Sequence, residues 1–329
     1  VAKARRLPID DVSPSPPALH SHPTVGLALG SGSARGWAHI GVIQTLREAG
    51  VPIDCVAGSS IGALVGGVFC AGQLDALARE ARHLDWRRLV RMLDIALPRS
   101  GLLAGEKITA FIRQLTGERT LTTLSIPFWA VATSLRTGRE VWIRQGPVVE
   151  AIRASMSMPG ILTPIRSGSQ WLVDGGLANP VPVSVCRAMG ADIIIAVNLN
   201  AEILLRPEKP HPPLAAGTGA PRSRQLHHTF RYYWQQRGKQ FRQLLPLLSR
   251  RAKEPSLSLF EVILYSLHVM QDRITRHRLA ADPPDFLITP AVRQIQLFEF
   301  HRADEAIAAG TRAAQALLPA IRESIERAL

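Results

Sequence analysis

Cysteine is scarce in this 329-residue chain: Cys55, Cys70 and Cys186 are all it has. An odd number without metal-ligand spacing argues against a disulfide framework or a thiolate metal site. Buried, reduced thiols in a cytosolic protein are expected. Long apolar runs are missing too. None reaches the ~18 residues of a spanning helix, so no transmembrane segment is expected. The basic start, Val1 to Pro8, leads into Asp10, Asp11 and a Pro/Ser stretch. Without an apolar h-region it does not read as a secretory signal. No internal repeat is visible.

The apolar fraction, 46%, suffices for a buried core. Residues 1–23 read as a mobile tail. Residues 24–200 alternate strand-like and helix-like segments. Strands are expected at Val25–Leu29, Cys55–Ala57, Phe128–Thr133, Glu140–Arg144, Trp171–Val173 and Ile193–Leu199. Helices are expected at Trp37–Ala49, Ile61–Ala71, Leu74–Leu84, Gly105–Leu115 and Val148–Ala154. This order predicts an α/β layered fold with a largely parallel sheet flanked by helices. Residues 201–226, rich in proline, read as a linker or long loop. Residues 227–329 read as a helical C-terminal extension packed on the core, with one last strand near Asp285–Pro290.

Gly58-Ser59-Ser60-Ile61-Gly62 has G-x-S-x-G spacing between an apolar run and a small-residue helical segment. That is the strand–turn–helix setting of a nucleophile elbow, with Ser60 at its apex. Gly58 and Gly62 relieve crowding in the turn, and the helix N-terminus favours an anion beside Ser60. A plain Gly/Ser-rich turn has the same five residues.

Upstream, Val25–Leu29 ends in Gly30-Ser31-Gly32-Ser33-Ala34-Arg35-Gly36. No lysine follows, which excludes a Walker loop. A dinucleotide fingerprint is a weak match, because the third glycine position holds Arg35 while Gly36 comes one residue late. The remaining reading is an oxyanion hole built from backbone N–H groups, with Arg35 bracing the loop.

Downstream, Trp171-Leu172-Val173 leads to Asp174-Gly175-Gly176. A hairpin turn looks alike, but a nucleophilic serine needs a base. Histidine, the usual base, does not end any apolar strand-like run. His39 reads as packed. His83, His268, His277 and His301 read as solvated helix positions. Asp174 does end such a run, and Gly30, Gly58 and Asp174 can meet at one sheet edge.

Glycine loop, G-S-S-I-G and D-G-G in this order resemble the patatin-like phospholipases, closest to the bacterial group related to neuropathy target esterase. Ser155-Met156-Ser157-Met158-Pro159-Gly160 also resembles a segment preceding that family's D-G-G motif. The resemblance spans about residues 24–200. It implies Ser60 as nucleophile, Asp174 as the other half of a Ser–Asp dyad, and the N–H groups of Ser31, Gly32 and Ser33 as the oxyanion hole. No metal or cofactor is implied. The expected substrate is a phospholipid or lysophospholipid. The family loop usually has three consecutive glycines where this chain has Ser31, Gly32 and Ser33. Since serine tolerates positive φ poorly, either φ is ordinary at 31 and 33 or the hole is weaker. Two alternatives stand beside this reading: a Ser-Asp-His triad using His301, and a non-enzymatic lipid-binding module.

The net charge is +13, unevenly spread. Residues 222–253 hold nine Lys/Arg and no Asp or Glu, interleaved with Phe230, Tyr232, Tyr233, Trp234 and Phe241. No nucleic-acid module pattern appears. An anionic membrane surface fits the basic residues and aromatics, as does a solvated cationic helix face. The expected location is cytoplasmic, with peripheral contact at the inner membrane surface.

Overall fold

The computed structural model describes residues 22–84, 104–201 and 259–329. The basic segment 222–253 lies outside them, as do residues 1–21 of the expected tail and 202–226 of the expected linker. The chain divides into two units, Val1–Leu205 with Tyr265–Leu329, and Arg206–Leu264. The sheet and the candidate site lie in the first.

Strands β1 (Val25–Leu29), β2 (Cys55–Ser59) and β7 (Ile193–Val197) are buried at every residue. Continuous burial is what a parallel strand covered on both faces requires. Between β1 and β2 runs α1 (Ala38–Glu48), and α2 (Ile61–Cys70) and α3 (Leu74–Arg82) follow β2. After α4 (Glu106–Thr116) come β3 (Phe128–Ser134), β4 (Glu140–Ile143) and α5 (Val148–Ser155). Then β5 (Ile165–Ser167), β6 (Gln170–Asp174) and α6 (Val183–Ala188) lead to β7. The C-terminal part holds α7 (Leu259–Ala281), β8 (Phe286–Ile288) and α8 (Ala303–Arg327).

The eight-stranded sheet has the order β5-β6-β3-β2-β1-β7-β8, with β4 also on β3. β3-β2-β1-β7-β8 is parallel throughout. β4 and β6 pair antiparallel with β3, and β5 with β6. This is the α/β fold the alternating pattern predicts, with an antiparallel edge. The short strand Ile165–Ser167 was not expected; three residues are too few for a periodic signal.

Side chains alternate between two cores. Val25, Leu27 and Leu29 join the face carrying α1, α2, α5 and α8. Ala28 joins Cys55, Ala57, Val131, Val185, Cys186 and Ile194 under α6. All three cysteines are buried and free. The C-terminal segment is built into this layer structure. β8 continues the parallel sheet beside β7, and α8 packs along α1. Among the described residues, no helix is long and apolar enough to cross a membrane.

Candidate active site

Ser60 stands between the end of β2 and the start of α2, at φ 56° and ψ −120°. Among the described residues, the non-glycine positions with positive φ are Ser60 and Ser33. Such a conformation costs on the order of 1–3 kcal/mol and persists only where the surroundings enforce it. Here they do. A Cβ on Gly58 would lie 2.6 Å from Ala63 Cα and the Gly62 carbonyl oxygen. A Cβ on Gly62 would strike the carbonyls of Leu29 and Gly30. The two glycines therefore let α2 turn back tightly over β2 and seat its first turn against the loop after β1. The Ser60 N–H donates to Ser155 Oγ at 2.9 Å. Ser60 Oγ donates to Asp174 Oδ2 at 2.6 Å.

Asp174 comes within reach through register. Ser59 is level with Val131 on one side of β3, and Asp174 is level with Ala132 on the other. Ser60 and Asp174 thus flank the same strand at the same height. Since β6 runs antiparallel, the rule that parallel strands present ligands at their carboxyl ends does not bring Asp174 there. The pairing register does. The Asp174 N–H donates to the Ser157 carbonyl at 2.9 Å, and its carbonyl accepts Thr133 Oγ1 at 2.8 Å. Its Oδ1 accepts the Gly176 N–H at 2.8 Å. One segment, Ser155 to Ser157, therefore grips both residues of the pair. Arg153 anchors that segment through Ser157 Oγ at 2.8 Å and the Thr163 carbonyl at 3.1 Å.

The Asp174 carboxyl is wholly buried. Burial pushes it up to about 6, against the opposing pull of hydrogen bonds from Ser60 and the Gly176 N–H. At neutral pH it is ionised.

The loop after β1 is held at several points. Gly30 N–H donates to the Val197 carbonyl at 3.1 Å and Ala34 N–H to that of Leu297 at 3.1 Å. Ser31 N–H donates to the Pro180 carbonyl at 2.8 Å. Of the three N–H groups expected as oxyanion donors, one is therefore occupied within the protein. Ser31's N–H is already engaged, while those of Gly32 and Ser33 have no acceptor among the described residues. Ser33 takes φ 53°, so the loop does not keep ordinary φ there. Its Oγ donates to the Leu297 carbonyl at 2.7 Å, which ties down a conformation a glycine would adopt freely.

Arg35 braces the loop from below. It is buried, with Nε donating to the Ile295 carbonyl at 3.0 Å and Nη1 to Asn200 Oδ1 at 3.1 Å. Asn200 Nδ2 in turn reaches the Ser31 carbonyl at 3.2 Å. Gly36 packs its Cα face on Ile61, the first residue of α2, and Gly175 sits on the Val131 carbonyl. Asn200 and Ile295 have no local sequence signal; their roles come from distant chain.

The histidines divide. His39 is buried, its Nε2 bonded to the Gly30 carbonyl at 2.8 Å. Burial lowers it to about 4, so the ring is neutral and packed, as expected. His301 is exposed on a short 3₁₀ turn, Phe300–Arg302. Among the described residues, neither Ser60 nor Asp174 has a histidine hydrogen-bond partner. His268 departs from expectation: it is buried, not solvated. Among the described residues, no cluster of His, Cys, Asp or Glu could hold a metal.

Residues 27–187 match the family model described as patatin-like phospholipase. An uncharacterized NTE family protein of Mycobacterium tuberculosis is 38% identical over 93% of this chain and 96% of its own length. The chain belongs to the patatin-like phospholipase family. It falls with the NTE family proteins. Human patatin-like phospholipase domain-containing protein 6 is 32% identical over 54% of this chain and 14% of its own length. A Caenorhabditis elegans protein of the same domain name is 36% identical over the same share of each. The family supports lipid hydrolase activity in general terms.

Proposed function

We propose that this patatin-like protein hydrolyses acyl esters of phospholipids or lysophospholipids through a Ser60–Asp174 dyad and an acyl-enzyme. The 2.6 Å bond from Ser60 Oγ to Asp174 Oδ2 is the observation that carries the reading. Ser60 Oγ attacks the ester carbonyl as its proton passes to Asp174 Oδ2. The N–H groups of Gly32 and Ser33 hold the oxyanion, helped by the N-terminus of α2. The C–O bond to the alcohol breaks, and the proton on Asp174 goes to the departing oxygen. Water then attacks the acyl carbonyl, giving its proton to Asp174. The fatty acid leaves, and Ser60 Oγ regains its proton. Peripheral contact with an anionic membrane, through the basic 222–253 segment, would bring the protein to its substrate.

The test is labelling with a fluorophosphonate ester probe followed by peptide mapping. Ser60 is the expected adduct site, and Ser60→Ala should remove both labelling and ester hydrolysis. Labelling elsewhere, or unchanged labelling in that variant, ends the assignment. Position does not favour the triad alternative, since His301 is exposed and, among the described residues, no histidine bonds to Asp174.

A further inference from the structure

From Tyr265 onward, α7 is amphipathic in the reverse sense. His268, Gln271, Asp272 and Thr275 are buried, while Tyr265 is 51%, Val269 42% and Met270 49% exposed. A helix packed on an apolar core shows the opposite pattern, because a buried polar group is costly unless it is partnered. Two of the four are accounted for. Asp272 pairs with Arg276 at 2.8 Å, and Thr275 Oγ1 donates to the Gln271 carbonyl at 2.7 Å. The other two are not. Among the described residues, both ring nitrogens of His268 and Nε2 of Gln271 find no hydrogen-bond partner.

Gln271 faces the candidate site. The point where a Cβ on Gly176 would lie is 2.6 Å from Gln271 Nε2, 3.0 Å from Asp174 Oδ1 and 3.1 Å from Ser31 Cβ. The amide thus borders the proposed base on one side and the glycine loop on the other. His268, one helical turn away, does not compete as a base. Burial, and then the charge of Arg35, lower it to about 4.

We propose that Gln271 is a substrate-contacting residue, its side-chain Nε2 donating to the carbonyl oxygen of the ester held against Ser60. This rests on the reading of Ser60 and Asp174 as an ester-hydrolysing pair. The amide supplies the donor that Ser31, engaged by Pro180, does not. A buried donor without a protein partner is costly in the free protein. A substrate oxygen in the site would satisfy it.

Gln271→Met keeps the length of the side chain and removes the donor; Gln271→Leu does the same with a different shape. Thermal midpoint and steady-state kinetics on a short-chain nitrophenyl ester are measured for both, beside wild type and Ser60→Ala. The expected result is opposed signs: an unchanged or higher midpoint, and kcat/KM lower by about tenfold or more, mostly in kcat. A variant that keeps kcat/KM within about twofold of an active wild type overturns the inference and leaves the Ser60 reading intact. A midpoint that falls in both variants also overturns it, since the amide would then serve a structural partner such as water. Absence of Ser60-dependent hydrolysis in the wild type removes the Ser60 reading and the inference with it.

Discussion

Ser155 Oγ accepts the backbone N–H of Ser60 at 2.9 Å, 95 residues away in sequence. The bond gives the N–H of the strained elbow residue a side-chain acceptor. Ser155→Ala would leave that donor buried without an acceptor, at a cost of about 1–3 kcal/mol. Chemical denaturation should show this loss, and esterase activity should fall with it as Ser60 loses its fixed position. Ser155→Thr, which restores a hydroxyl, should recover part of both.

Asp174→Asn keeps the shape of the base but removes its basic oxygen. Activity on a short-chain nitrophenyl ester should fall by at least about 10². His301→Ala should leave the same assay unchanged. The reverse pattern would restore the triad.

The pH dependence follows from burial of Asp174. Its carboxyl titrates near 6 rather than 3.8, so kcat/KM should fall about tenfold per unit as pH drops below about 6. Stability moves the other way. A carboxyl raised on folding binds its proton more tightly in the native state, so native stability declines as pH climbs from about 4 to about 6. The contribution is on the order of 3 kcal/mol. Denaturation midpoints of wild type and Asp174→Asn compared across that window should differ by this slope. Parallel curves would mean that the carboxyl is not raised.

Residues 222–253 should bind anionic bilayers. Each Lys or Arg near such a surface contributes about 1 kcal/mol, screened over about a Debye length. Co-sedimentation with vesicles should therefore rise with anionic lipid and fall with salt. Replacing Arg237, Lys239, Arg242, Arg250 and Arg251 by Gln should weaken binding while sparing hydrolysis of a soluble ester. Equal sedimentation with neutral and anionic vesicles would make the segment an ordinary solvated face.

The elbow, the glycine loop, the D-G-G turn and the βα order were legible in the sequence because each is a local signal. Gly58 and Gly62 mark a turn whose crowding their own neighbours create, and short apolar runs such as Val25–Leu29 and Ile193–Val197 mark strands covered on both faces. The rest depends on chain brought from far away. Only the tertiary structure shows that Pro180 engages Ser31's N–H, or that Leu297 holds Ser33 at positive φ. Only pairing register sets an antiparallel Asp174 level with Ser60. His268 and Gln271 were illegible for a physical reason. Helical spacing gives the same pattern whether a polar stripe meets water or a polar site, and the usual preference for water points outward. In α7 the polar stripe turns inward, and Gln271 on it borders Gly176 beside Asp174 and Ser31, a fact no local window of sequence contains.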